Sequence, residues 1–220
     1  VPPWDLVVFD NDGVLVDSEV LANSLLADLL SELGHPTTLD ESIERYIGGS
    51  MQRVRDLVTA SGGPALPPDF EDRYHAELFT RFATRLRIVP GVAEVIAGLR
   101  VDRCVASSGS HDRIRVALRT VGLLDAFDGA IYSADDVEHG KPAPDLFLHA
   151  AAARGARPDR CVVIEDSPAG VAAARAAGMT VLGFARMTPA ARLADAHAVF
   201  DDMAALPGLL AAPPPASWWS

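Results

Sequence analysis

Leu6-Val7-Val8-Phe9-Asp10-Asn11-Asp12-Gly13 is the stretch on which the reading of this chain turns. Four apolar residues make a short buried strand, and the strand runs directly into two carboxylates and a glycine. Strand geometry sends Asp10 and Asp12 to the same side. In open α/β folds the carboxyl edge of the sheet is where ligands bind. Two carboxylates held together repel each other unless a cation or a proton lies between them. The stretch therefore points to a metal, a proton-transfer pair, or both. Asp, Asn and Gly are also ordinary turn residues, so the decision rests on the rest of the chain.

From about residue 18 to 86 there are helical patterns and no strand signal. Ser18 reads as an N-cap for an apolar-periodic helix over 20–33, carried by Leu21, Leu25, Leu26, Leu29, Leu30 and Leu33 and ended by Gly34. Further helices are expected over 40–46, 51–60 and 68–84. Gly48-Gly49-Ser50 and Ser61-Gly62-Gly63-Pro64 are loops between them. Beyond residue 88 the pattern changes. Short apolar runs at 103–106, 130–132, 161–164 and 180–184, with a weak one at 198–200, alternate with helical segments. That alternation predicts an α/β fold, a doubly wound parallel sheet. The expected organisation is a core from 1–16 and 88–212, an inserted all-helical cap at 17–87, and a tail at 213–220. The Pro-rich tail with Trp218-Trp219 reads as loosely ordered.

The formal charge of −11 argues against a nucleic-acid reader, whose affinity rests on clustered Lys and Arg. No apolar run is long enough to cross a membrane, and no basic stretch precedes an apolar run at the N-terminus. Cys104 and Cys161 each fall inside an expected buried strand, so free core thiols are expected rather than a disulfide. A cytoplasmic enzyme fits these features. The cationic residues are 18 arginines and a single lysine, Lys141. A GC-rich coding sequence produces such a bias. Lys141 is then either a chance survivor on the surface or a residue whose pocket wants a compact ammonium rather than a wide planar fork.

Strand ends at residues 9, 106, 132 and 164 each lead into polar residues. These are Asp10/Asp12, Ser107/Ser108, the loop to Gly140-Lys141-Pro142, and Glu165-Asp166. A parallel sheet brings all carboxyl ends to one edge, so the groups can meet. Four carboxylates carry about −4, and a hard divalent cation with Lys141 supplies about +3. Oxygen ligands and a phosphate partner favour Mg²⁺ over Zn²⁺. Ser107 to Ser110 can also be a plain loop and helix cap, or an anion site of hydroxyls and N–H groups at a helix start. Glu165-Asp166 before Ser-Pro can likewise be an acidic helix start.

Together these residues resemble the haloacid dehalogenase-like hydrolase superfamily in its helical-cap branch, over roughly residues 5 to 187. Phe9 to Glu19 is similar to the first motif of that family, and Val105-Ala106-Ser107-Ser108 to the second. Gly140-Lys141-Pro142-Ala143-Pro144-Asp145 is similar to the third, and Ile164-Glu165-Asp166-Ser167-Pro168-Ala169-Gly170 to the fourth. The resemblance implies a Rossmann-like core and a Mg²⁺ cofactor. It implies Asp10 as the nucleophile that becomes an aspartyl-phosphate and Asp12 as general acid/base. Ser107 and Ser108 would hold the transferring phosphoryl group, with Lys141 bridging it to the nucleophile. Asp166 would bind the metal with Asp10 and the backbone carbonyl of Asp12, and Glu165 would be a further or water-mediated ligand.

Asp12 argues against dehalogenation, since halide leaves without a proton whereas a phosphate ester needs one. The segment 17–87 has no lysine for a Schiff base, which disfavours phosphonate cleavage. The favoured reading is a phosphatase acting on a small phosphorylated metabolite, with sugar phosphates and 6-phosphogluconate nearest in pattern. A β-phosphoglucomutase-type mutase is the alternative. Against it, Ile47 and Met51 flank Gly48-Gly49-Ser50 where basic residues are expected, although Arg45 and Arg53 are near. A non-catalytic binding module is a third reading, disfavoured because no motif residue is lost. Arg45, Gly48, Gly49, Gln52, Arg53 and His111 are candidates for setting specificity. His111 reads equally as a solvated residue of a first helical turn. No obligate protein partner is evident.

Overall fold

The computed structural model describes residues 3–47 and 51–212. Gly48, Gly49 and the tail with Trp218 and Trp219 lie outside the described residues. The chain divides into two compact units, one formed by the residues up to Val16 with those from Ile88 onward, the other by Asp17–Arg87.

The first unit is built on strands β1 (Leu6–Phe9), β2 (Asp102–Ser107), β3 (Ile131–Ser133), β4 (Cys161–Glu165), β5 (Thr180–Phe184) and β6 (Ala198–Phe200). All pair in parallel, in the order β3-β2-β1-β4-β5-β6. Strand order therefore reverses direction beside β1, the crevice where doubly wound sheets bind ligands. The central strands β1, β4 and β5 are buried along their whole length because both faces are covered, whereas β2 opens on the more exposed Asp102 and Arg103. On one face Leu6, Val8, Cys104, Ala106 and Val163 join a core with Leu146, Phe147 and Val171. On the other, Phe9 meets Phe127 edge-on with ring centroids 6.1 Å apart. Cys104 and Cys161 are buried free thiols, and burial pushes Cys161 up to about 12, which leaves it unreactive.

The second unit consists of α1 (Ser18–Glu32), α2 (Leu39–Tyr46), α3 (Met51–Ala60) and α4 (Phe70–Arg85). Phe70, Tyr74, Leu78 and Phe82 recur every fourth residue and are buried, and α4 packs on α1. Thr38 and Glu41 form a capping box at the start of α2. Buried Ser42 donates to buried Asn23 at 3.0 Å, tying α2 to α1. The expected cap at Ser18 is displaced by one residue. Asp17 stands at the N-cap, and Ser18 is the first helical residue, buried with no partner for its hydroxyl. At the neck of the insertion Asp17 N–H donates to the Arg87 carbonyl at 2.8 Å, while Val16 and Ile88 form an antiparallel bridge within the first unit. No helix among the described residues is long and apolar enough to cross a membrane.

The remaining helices belong to the first unit: α5 (Val92–Gly98), α6 (His111–Thr120), α7 (Asp145–Ala153), α8 (Pro168–Ala176) and α9 (Leu206–Ala211). Contacts of α7 with β1, β2 and β3, and of α8 with β4 and β5, cover one sheet face. Their N-terminal ends follow the carboxyl ends of strands, as the chain direction of a parallel sheet requires.

Candidate active site at the carboxyl ends of β1, β2 and β4

Phe9 is in register with Val105 on one side and Ile164 on the other. One step further along, Asp10, Ala106 and Glu165 stand level at the ends of three adjacent strands. Lys141 reaches all three. Its Nζ donates to Asp10 Oδ1 at 2.7 Å, to the Ala106 carbonyl at 3.0 Å and to Glu165 Oε1 at 2.6 Å. All three donors of the ammonium are used, and its side chain is 4% exposed. The Phe147 ring, with its centroid 4.9 Å away, closes over the charge. Buried Leu146 and Phe147 at the start of α7 anchor the loop that delivers it.

Glu165 is fully buried. Its second oxygen, Oε2, accepts from the Ser167 N–H at 3.0 Å and from the Ser167 hydroxyl at 2.9 Å. Ser167 also caps α8 by accepting the Gly170 N–H at 3.0 Å. Gly170 is the close approach that makes this possible, because a Cβ there would lie 1.9 Å from the Glu165 carboxylate. The same device recurs at Gly13, with φ +77°, where a Cβ would lie 2.0 Å from Asp166 Oδ2. Each glycine lets a carboxylate lie directly against backbone.

Asp10, Glu165 and Asp166 each offer an oxygen, all within 4.8 Å of one another. The donors are hard carboxylate oxygens with no sulfur or imidazole, which suits a hard divalent cation. Charge balance agrees. Burial pushes Asp10 up to about 7 despite the pull of Lys141, with the charges of Glu165 and Asp12 adding to the rise. A buried carboxylate raised in this way beside other acids is one that a divalent cation would stabilise in its charged form. Burial works to lower the Lys141 ammonium, but the charges of Asp10 and Glu165 outweigh it and hold it above the ordinary lysine range.

Asp12 is turned elsewhere: its Oδ1 accepts from Arg113 Nη2 at 3.0 Å. Ser107 is buried at the end of β2, and its hydroxyl accepts the Gly109 N–H at 3.2 Å, whereas Ser108 is exposed. The loop is tied to β3, since the Ser133 hydroxyl donates to the Gly109 carbonyl at 2.7 Å. His111, the first residue of α6, pairs through Nε2 with Asp136 Oδ1 at 2.8 Å and is about one-third exposed. Burial would raise Asp136, but the hydrogen bonds from His111 and the Ser133 N–H outweigh it and hold that carboxyl below its usual range.

The other specificity candidates lie in the helical unit. Arg45 lies in the last turn of α2 with its guanidinium 5.5 Å from the Tyr46 ring centroid. Gln52 donates to Asp56 at 2.8 Å along α3, and Arg53 is exposed on the same helix. A cavity of about 490 Å³ lined by Pro3, Val95, Leu99 and Leu210 lies beside the amino ends of β1 and β2, the edge away from these acids.

Arg113, Asp136, Ser133 and Ser167 were not among the residues singled out from sequence. Arg113 carried a usable signal: it is three residues past the Ser110 cap, in the first turn of a helix that starts at the expected anion loop.

A family model for haloacid dehalogenase-like hydrolases matches residues 4–178. The 6-phosphogluconate phosphatase of Escherichia coli K12 is 29% identical over 181 residues, 82% of each chain. A phosphorylated carbohydrates phosphatase of Thermotoga maritima is 32% identical over 180 residues, covering 80% of this chain and 82% of its own. Among solved structures, a haloacid dehalogenase-family hydrolase from Deinococcus radiodurans R1, with bound phosphate and sodium, superposes with a TM-score of 0.84. It shares 33% identity over 96% of either chain.

Proposed function

The chain belongs to the haloacid dehalogenase-like hydrolase family, and from that premise we propose that it is a Mg²⁺-dependent phosphatase. Its substrate is a small phosphate monoester, a sugar phosphate or phosphogluconate. The observation that carries this reading is Lys141 joined to Asp10 and Glu165 beside Asp166, across the ends of three adjacent strands. The relatives named above, which act on phosphogluconate and on phosphorylated carbohydrates, support the substrate class.

Asp10 is the nucleophile. Its carboxylate oxygen forms a bond to phosphorus as the bond from phosphorus to the ester oxygen breaks. Asp12 gives its proton to the departing alkoxide. In the second step Asp12 takes a proton from water, the water oxygen bonds to phosphorus, and the bond from phosphorus to Asp10 breaks. Free enzyme and inorganic phosphate result. Ser107 and the Ser108 backbone hold the phosphoryl oxygens. Lys141 offsets charge on them and keeps Asp10 oriented.

Asp10 and Asp166, with the backbone carbonyl of Asp12, are the groups to hold Mg²⁺. Bound there, the cation supplies charge neutralisation for the phosphoryl oxygens. Glu165 has both oxygens engaged by Lys141 and Ser167, so we assign it the task of holding Lys141 rather than direct metal binding. The helical unit Asp17–Arg87 serves as the cap, and Arg45, Gln52, Arg53 and His111 are its and the core's candidates for substrate contact.

The test is phosphate release from sugar phosphates, phosphogluconate, nucleotides and an aryl phosphate, with Mg²⁺ or with chelator. Mg²⁺-dependent turnover that prefers one sugar phosphate and disappears in Asp10→Asn supports the reading. Turnover that survives chelation or that substitution refutes it. Isomerisation that needs a bisphosphate primer and conserves ester phosphate would establish the mutase reading instead.

A further inference from the structure

Asp12 carries the proton in the reading above, yet nothing in that reading says what orients it. The carboxylate lies beyond the end of β1, outside the sheet ladder, and two of its neighbours in sequence are Gly13 and the buried Asn11. A side chain there has several rotamers, and only some can meet a leaving oxygen.

Arg113 meets Asp12 from 101 residues away, Nη2 to Oδ1 at 3.0 Å. Its origin is well defined. The Arg113 N–H donates to the Ser110 hydroxyl at the cap of α6, 3.4 Å away, so the loop that carries Ser107 and Ser108 also sets where Arg113 begins. The stem crosses Gly109, where an added Cβ would lie 3.4 Å from Arg113 Cδ. Gly109 lacks the positive φ that demands glycine. The pair is partly open to solvent, with side chains 34% and 21% exposed. Ion pairs so placed contribute little to stability, which makes stability a poor reason for it.

We propose that Arg113 is the positioning residue for Asp12: its hydrogen bond to Oδ1 selects the rotamer that presents the other oxygen, Oδ2, to the leaving group. The inference rests on the assignment of Asp12 as acid/base. A guanidinium suits this task because it is a donor only and keeps its protons at any working pH. It orients the carboxylate without competing for the proton in transit. The logic is that of a third group orienting a catalytic base.

Single-turnover measurements isolate the first step, in which only a poor leaving group needs the proton. The comparison is sugar release from a sugar phosphate against nitrophenolate release from p-nitrophenyl phosphate, in the wild type, Arg113→Gln and Arg113→Lys. The proposal expects the ratio of the two rates to fall at least tenfold in Arg113→Gln, out of the roughly 10²- to 10⁴-fold that general acid catalysis supplies. It also expects Arg113→Lys to recover part of the loss and KM for the sugar phosphate to stay within about twofold. Equal falls for both substrates would mean a merely structural role and overturn it. A raised KM with unchanged first-turnover rates would also overturn it, by making Arg113 a substrate contact. A wild type that releases no phosphate from either substrate would fail the phosphatase reading itself. A competent wild type with an unchanged ratio in Arg113→Gln would fail the positioning role alone.

Discussion

Gly170→Ala sets two effects of opposite sign against each other. Position 170 is in the first turn of α8, between the Ser167 cap and the buried Val171. On helix propensity alone, alanine would stabilise by about 1 kcal/mol. The close approach argues the reverse. The new methyl would stand 1.9 Å from the Glu165 carboxylate, where no carbon can sit. Glu165 is not a loose end that can swing away, since Lys141 and Ser167 hold both its oxygens and it is fully buried. Displacing it breaks one arm of the buried pair, and breaking such a pair costs roughly 3–5 kcal/mol. The expected net loss is about 2–4 kcal/mol. In a chain of this length that lowers the melting temperature by about 4 to 16 °C. Urea titration and thermal melting of wild type, Gly170→Ala, Glu165→Ala and the double variant measure it. In the Glu165→Ala background the propensity term should reappear, so that Gly170→Ala is neutral or stabilising. A stabilising Gly170→Ala in the otherwise native protein would refute the close approach and with it the placement of Glu165.

Lys141→Arg keeps the charge but brings a planar fork to a site that takes three donors in a narrow space. Phosphate release should fall about 10²- to 10³-fold, the usual loss on removing a well-placed electrostatic donor, and a variant retaining a third of wild-type turnover would contradict the cage. In chelated protein the raised Asp10 binds a proton in the folded state that it gives up on unfolding between pH about 4 and 7. Its contribution to stability is therefore greatest below that window and is lost as pH rises through it. Melting temperatures in chelator should fall from pH 4.5 to 7.5 relative to Asp10→Asn, and parallel curves for the two proteins would count against the burial effect. Thr180 is fully buried with no partner for its hydroxyl, so Thr180→Val should be neutral or raise stability by about 1 kcal/mol in urea titration. A loss beyond 1 kcal/mol would show that the hydroxyl is satisfied after all.

Much of this architecture could be read from the chain because its signals are local. β1 is four apolar residues followed by acids, α4 repeats its apolar residues every fourth position, and Thr38 with Glu41 is a capping box visible at three-residue spacing. The convergence of Asp10, Ser107, Lys141 and the pair Glu165-Asp166 was legible for a topological reason, since parallel strands put all their carboxyl ends on one edge. What could not be read was pairing in space. Nothing local links Asp12 to Arg113 or Gly109 to Ser133. Turns such as Leu124–Phe127 and Met203–Ala205 are too short to show a period. α9 was missed because Pro207 and Gly208 sit inside it, although proline is tolerated in a first turn.

The position of β1 in the middle of its sheet has a consequence on the ribosome. β1 is made first among the strands, yet one of its two neighbours, β4, ends at Glu165. At roughly 5–20 residues per second, synthesis of the intervening chain takes on the order of 8 to 30 s. During that interval the strand that leads into Asp10 has one flank without its native neighbour, and Asp10 is not yet beside Glu165 and Asp166. The helical segment Asp17–Arg87 is complete much earlier and brings its own core. The emerging chain thus has every residue of its helical insertion well before it has those of its acidic cluster, and its catalytic capacity arrives as a late event of translation.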